Sequence, residues 1–217
     1  MNAGEARGER LRDEYLHVER ALAGRRIRHA ILVLGSTRLR GESPYYEIAR
    51  EFGRIAGPIV TGGGPGIMEA ANRGALEAGA PSIGLNITLR NAQPENPYIS
   101  PGLSFRFRYF ALRKLHFLLR ARALVAFPGG YGTFDELFET LTLVQTRKIR
   151  PMPIVLVGER YWRRAFDADF LVEQGMIDAA DRTLYCYAET ASGILEAIQG
   201  WYRRAGEPLF PAVLEQA

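Results

Sequence analysis

TGGGPGIMEAANRG at residues 61–74 and FPGGYGTFDELFETLTLVQ at residues 127–145 share one arrangement: a short apolar run enters a glycine-rich turn, and an amphipathic stretch follows. That rhythm, with apolar residues three and four apart after each turn, marks β-α units. It recurs along the chain. Candidate strands lie at residues 30–34, 58–61, 82–87, 123–127, 153–157 and 183–188. Most are continuous apolar runs, as parallel strands covered on both faces require. Candidate helices lie at 44–56, 67–78, 107–122, 134–146, 162–174 and 192–204, with a further N-terminal helix at 9–21. Right-handed crossovers stack such helices on both faces of one open parallel sheet. The expected fold is therefore α/β and Rossmann-like, with ligands bound beyond the carboxyl ends of the strands, where both glycine turns fall.

The first turn holds four glycines in five residues, Gly62, Gly63, Gly64 and Gly66, and Met68 follows in the helix. Glycines let the backbone approach a ligand closely, and amides at a helix start attract an anion such as phosphate. A P-loop would need Lys and then Ser or Thr after the last glycine, where this chain has Ile67 and Met68. The dinucleotide fingerprint would need a glycine where Ile67 stands, so that class also loses support. In the second turn Gly129, Gly130, Tyr131, Gly132 and Thr133 again offer amides, and Asp135 and Glu136 come next. A carboxylate fixed beside a sugar can stabilise the oxocarbenium-like state of glycosidic cleavage, attack the sugar or activate water. Thr133 and Glu136 also have the spacing of a capping box, and spacing leaves both roles open. The positive end of the helix is expected to keep Glu136 ionised, which favours an electrostatic or nucleophilic role over a general acid. After the first strand, Gly35, Ser36 and Thr37 bring a turn and two hydroxyls to the same edge.

A length of 217 residues suits one domain spanning 1–217 with a single large core. Hydrophobic content of 47% and charged content of 24% are ordinary for a globular protein, which argues against disorder and fibrous repeats. The net charge of +4 comes almost entirely from arginine, with Lys114 and Lys148 the only lysines, and arginine suits bidentate recognition of phosphate. That small excess is spread along the chain rather than clustered, so nucleic acid is not the expected partner. No apolar stretch approaches the roughly 18 to 20 residues of a membrane span, and the N-terminus lacks the apolar core of a secretory signal. Cys186 is the only cysteine, which excludes an internal disulfide and fits a cytoplasmic location.

Residues 88–104 carry Asn91, Pro94, Asn96, Pro97 and Pro101 without either periodicity and are expected to form a long loop. Residues from 206 onward read as an extended tail. Arg106, Arg113 and Arg120, seven apart, are expected on one solvated helix face. His116 reads as a packed or surface histidine, and Cys186, within an apolar strand, as a core residue. No Cys or His cluster has metal-ligand spacing, and no G-x-S-x-G elbow occurs. Neither a metal nor a cofactor is expected.

The paired motifs, GGGPGIMEAANRGA, then ALRK, then PGGYGTFDE, resemble the LONELY GUY (LOG) family over residues 30–204. The resemblance implies a Rossmann-like homodimer or larger assembly that hydrolyses cytokinin riboside 5'-monophosphates, and in many bacterial members AMP, to free base and ribose 5-phosphate. It implies a catalytic pair, Arg113 and Glu136, with Lys114, the loop from Gly129 to Thr133, and Thr142 binding the nucleotide. The label lysine decarboxylase, often attached to this family, requires a Schiff-base lysine with pyridoxal phosphate, and neither Lys114 nor Lys148 sits in a constellation for that cofactor. The expected mechanism holds the 5'-phosphate on the Gly62 to Gly66 loop and the ribose near the second loop, with Arg113 anchoring the substrate. The alternative is a non-catalytic carrier similar to molybdenum-cofactor carrier proteins, which share the architecture.

Overall fold

The computed structural model describes residues 2–88 and 96–211. Among them, seven strands form one sheet: β1 (Ala30–Leu34), β2 (Ile59–Thr61), β3 (Ser82–Ile87), β4 (Ser104–Phe107), β5 (Ala121–Ala126), β6 (Ile154–Val157) and β7 (Cys186–Ala188). The helices are α1 (Ala3–Gly24), α2 (Pro44–Ala56), α3 (Ile67–Glu77), α4 (Phe110–Arg120), α5 (Tyr131–Gln145), α6 (Glu159–Ala165), α7 (Ala168–Glu173) and α8 (Ala191–Ala205). Every strand pair is parallel, and the order is β4-β3-β2-β1-β5-β6-β7. The expected open parallel sheet with helices on both faces is what forms.

Complete burial of the central strands explains their uninterrupted apolar sequences. In β1 all five residues are buried, with Ile31 and Val33 facing a core under α2, α3 and α8. Ala30, Leu32 and Leu34 face a second core holding Val18 and Leu22 of α1, Phe117 of α4, Leu137 and Val144 of α5 and Trp162 of α6. Period-two alternation therefore persists with both faces apolar.

The strand order reverses between β1 and β5, the topological switch point at which open α/β sheets bind ligands. There the amide of Phe127 donates to the carbonyl of Leu34 at 2.9 Å, and the amide of Ser36 donates to the carbonyl of Pro128 at 3.0 Å. These bonds join the turns that follow the two strands.

Several elements differ from their sequence expectations. Residues 104–107 form strand β4 rather than loop and helix, because Phe105 and Phe107 face the core while Ser104 and Arg106 face out. Arg106 thus lies on a strand, Arg113 lines a cleft, and Arg120 is buried, so the three arginines do not form one solvated face. The stretch 162–174 breaks into α6 and α7, with the Asp167 side chain capping α7 at the amide of Phe170. The capping box between Thr133 and Glu136 is absent: α5 begins at Tyr131, so both residues lie inside the helix. Cys186 is exposed rather than packed in a core, since β7 is the sheet's edge and its strand starts at that residue. The tail is docked as far as it is described, with Arg122 donating to the carbonyls of Pro208 and Leu209. Residues 89–95 of the expected long loop and 212–217 of the tail lie outside the described residues.

Candidate active site

A cleft of about 1650 Å³ opens at the carboxyl ends of β1, β2, β3 and β5. Gly35 and Ser36 enter it from β1, Gly62 and Met68 from the first glycine turn, and Gly129, Gly130, Tyr131, Gly132 and Thr133 from the second. Arg113 and Phe117 of α4 and Glu136 of α5 line it as well.

The two glycine turns are used differently. Gly63 and Gly66 have φ of +69° and +72°, and a β-carbon there would come within 2.3 Å of the Asn86 amide oxygen and 2.4 Å of the Ser36 carbonyl. Together with buried Gly64 they do not line the cleft; they let the first turn pack against its neighbours. A buried polar network holds that turn in place. Thr61 accepts the Gly63 amide at 2.9 Å and donates to Asn72 at 2.6 Å, and Asn72 donates to Ser82 at 2.8 Å. Asn72 escaped the sequence reading, although it falls eleven residues after Thr61, on the same helix face as buried Ile67, Ala71 and Ala75. The second turn instead exposes Gly130, Tyr131 and Gly132 at the start of α5, where helix amides have no intrahelical acceptor. On its inner side the Tyr161 hydroxyl donates to the Gly129 carbonyl at 2.5 Å, fixing the turn against α6.

Glu136 is the sixth residue of α5, and its inward direction leaves it 4% exposed. Arg113 lies in the first turns of α4, where Phe110 and Phe117 share its face, and its guanidinium sits 5.1 and 5.4 Å from their rings. The Arg113 Nη2 to Glu136 Oε1 distance is 3.5 Å. That is an ion pair too long to be a good hydrogen bond. Accordingly Arg113 Nε and Glu136 Oε1 are both buried without a hydrogen-bond partner. Burial raises the Glu136 carboxyl to about 7, more than offsetting Lys114 and Arg113, which lower it. Burial likewise lowers the Arg113 guanidinium despite Glu136. The expectation that the helix terminus would hold Glu136 fully ionised is thereby corrected: desolvation dominates over the dipole at this depth.

Two expected binding residues lie elsewhere. The Lys114 ammonium is 2.7 Å from Asp135 and 2.9 Å from Glu139, outside the cleft lining, and it ties α4 to α5. Thr142 is exposed two turns beyond Glu136, with its hydroxyl donating to the Phe138 carbonyl, and it does not line the cleft. Among the described residues no group of three or more His, Cys, Asp and Glu could hold a metal ion. No described helix is long and apolar enough to cross a membrane.

A switch-point cleft that pairs an exposed helix N-terminus with a buried Arg–Glu couple stands on a Rossmann-like parallel sheet. The family model described as "Possible lysine decarboxylase" matches residues 68–198, more than half of the chain. The chain belongs to that family, which its curated relatives identify as the LOG family. A rice (Oryza sativa subsp. japonica) relative named "Probable cytokinin riboside 5'-monophosphate phosphoribohydrolase LOG4" is 36% identical over 85 residues, covering 38% of this chain and 36% of the relative. The Arabidopsis thaliana cytokinin riboside 5'-monophosphate phosphoribohydrolase LOG2 is 31% identical over 88 residues, covering 40% of this chain and 41% of the relative. The matched regions thus span about two fifths of these relatives. Among solved structures, the molybdenum cofactor binding protein of Rippkaea orientalis superposes with a TM-score of 0.57 at 18% identity, covering 81% of this chain and 98% of that one. That likeness is one of fold.

Proposed function

We propose that this chain hydrolyses the N-glycosidic bond of nucleoside 5'-monophosphates, releasing a free base and ribose 5-phosphate. The observation that carries the reading is Glu136, a buried carboxyl with an unpartnered oxygen 3.5 Å from Arg113 inside a cleft rimmed by the α5 N-terminus. The names of the curated relatives support it.

In this mechanism the 5'-phosphate sits on the exposed start of α5, at Gly130 to Gly132, and not on the first turn as the sequence suggested, since Gly63, Gly64 and Gly66 do not line the cleft. The ribose then lies over Glu136. Ionised Glu136 stabilises the positive charge that develops on the anomeric carbon or activates the attacking water. Arg113 anchors the substrate and does not donate a proton, because a guanidinium stays charged. Half-exposed Phe110 and fully exposed Tyr131 offer flat faces for the base. Adenine and N6-prenylated adenine are the candidate bases.

A Schiff-base reaction finds no suitable amine in this cleft. Burial opposes the charge on Lys114, but its hydrogen bonds to Asp135 and Glu139 outweigh that and raise its pKa, whereas a Schiff-base lysine must be neutral. The carrier alternative rests on the shared fold alone. Base release from AMP and isopentenyl-adenosine monophosphate separates the readings. Glu136→Gln should lower turnover by a factor on the order of 10² or more while leaving nucleotide binding largely intact. Full activity in that variant would sink the hydrolase mechanism, and a bound pterin with no base release from any nucleotide would establish the carrier. A homodimer in the cytoplasm completes the proposal.

A further inference from the structure

The cleft runs across the sheet, and the strand order β4-β3-β2-β1-β5 sets what stands where along it. After β5 comes the start of α5, the proposed seat of the 5'-phosphate. The reacting pair lies over the end of β2: a β-carbon on Gly62 would stand 3.8 Å from Arg113 Nη1, and Glu136 is 3.5 Å from the same guanidinium. One strand further, at the ends of β3 and β4, the lining is Asn86, Ile87 and Arg106, with Phe110 at the start of α4. Three strand spacings separate β5 from β3, about 14 Å. A nucleotide laid from α5 across Glu136 therefore brings its base to the β3 end. Of the two rings offered to the base, Phe110 stands at that end and Tyr131 beside the phosphate.

Among the described residues Asn86 is the one side-chain amide in the cleft lining, and it is held in a single orientation. Its Nδ2 donates to the Ser104 hydroxyl at 3.2 Å and, more weakly, to the Phe105 carbonyl at 3.4 Å. A carbonyl can only accept, so the amide nitrogen must face β4 and the oxygen must turn away from it. Gly63 leaves room for this arrangement, since a β-carbon there would come within 2.3 Å of that oxygen. No described residue donates to Asn86 Oδ1. Its ladder partner Arg106 carries only donors, so Asn86 is the side-chain acceptor at this end of the cleft.

We propose that Asn86 reads the base: its Oδ1 accepts a hydrogen bond from the exocyclic 6-amino group of adenine while Phe110 covers the ring. The inference rests on the nucleotide-hydrolase reading and deepens it by naming the residue that selects the base. One N–H is enough, so adenine and singly N6-substituted adenines satisfy the same oxygen. A 6-oxo purine would set its carbonyl against that of Asn86, acceptor to acceptor, and a purine with hydrogen at this position would leave Oδ1 without a partner.

The test measures kcat/KM for base release from AMP and from purine riboside 5'-monophosphate, which lacks the amine, in the unaltered protein and in Asn86→Ala. Differences between the two bases as leaving groups are common to both proteins, so the readout is the ratio of the two substrates. That ratio should fall about tenfold in the variant, the value of one hydrogen bond to the base. A ratio unchanged by Asn86→Ala would overturn the inference and leave the hydrolase reading standing. Dissociation constants in Glu136→Gln give a second measurement that leaves Asn86 intact, so a folding defect in the alanine variant cannot shield the idea. There AMP should bind about tenfold more tightly than the purine nucleotide, and equal binding would overturn the assignment. Base release from neither nucleotide by the unaltered protein would bring down the hydrolase reading, and this inference with it.

Discussion

A carboxyl with a pKa near 7 changes its charge in the pH range where most enzymes work, and Glu136 is such a group. If its ionised form acts on the sugar, kcat/KM should rise with pH through about 7 and level off above; a profile that falls through the same range would assign Glu136 as the acid instead. The same shift has a stability consequence of defined sign. Between about pH 4.5, its ordinary value, and about 7, the folded chain keeps a proton on Glu136 that the unfolded chain has lost. Stability is therefore withdrawn as pH rises through that window, by about 3 kcal/mol. Glu136→Gln should be close to neutral for stability at pH 4.5 and clearly stabilising at pH 8, as measured by urea unfolding. Equal stabilisation at both pH values would contradict the shift.

Among the elements, α1 braces the helix that carries Arg113. The Glu14 carboxylate accepts the amides of Arg108 and Tyr109 at 3.1 and 3.3 Å, immediately ahead of α4. At the far end of the same helix, Glu19 meets the Arg120 guanidinium at 2.6 Å and the His116 ring at 3.4 Å. Burial, followed by the Arg120 charge, holds His116 at about 4, so it stays neutral, and of the packed and surface positions the sequence allowed it takes the packed one. Glu14→Ala should cost roughly 0.5 to 2 kcal/mol of stability, the value of a lost helix cap, and should lower kcat more than it raises KM. Rescue by Glu14→Gln, whose amide oxygen can still accept those amides, would distinguish loss of the cap from loss of charge.

This brace also shows what could be read from letters alone. The central strands were legible because burial on both faces makes their sequences continuously apolar, and the helix starts at Pro44 and Ile67 agree with the structure. Strand β4 was missed because SFRF alternates and runs straight into a helical pattern, so the helix was drawn through it. The depth of Glu136 was missed for a different reason. Its letters fit a cap, and only the earlier start of α5 at Tyr131 turns it inward. That Arg113 faces it across the cleft is a tertiary fact, carried by the family resemblance and not by any spacing.

At the scale of the whole molecule, the outer surface of α4 offers a route to assembly. Leu115 and Leu119, four apart, are 43% and 48% exposed, and Phe138 on α5 is 39% exposed. Three such side chains on adjoining helices suit a partner surface, which agrees with the proposed homodimer. Leu115→Asp combined with Leu119→Asp should convert a dimer to a monomer in sedimentation velocity; an unchanged sedimentation coefficient would place the contact elsewhere. The opposite region of the sheet has a practical meaning. Cys186 stands exposed on the edge strand β7, with only β6 between that strand and β5 at the switch point. At the ordinary strand spacing, β7 lies about 10 Å from β5. Although the residue is exposed, partial desolvation by its neighbours raises the thiol pKa, so coupling to a maleimide dye will need mildly alkaline conditions. As the chain has no other cysteine, the product would carry one fluorophore at one known position without any engineered mutation.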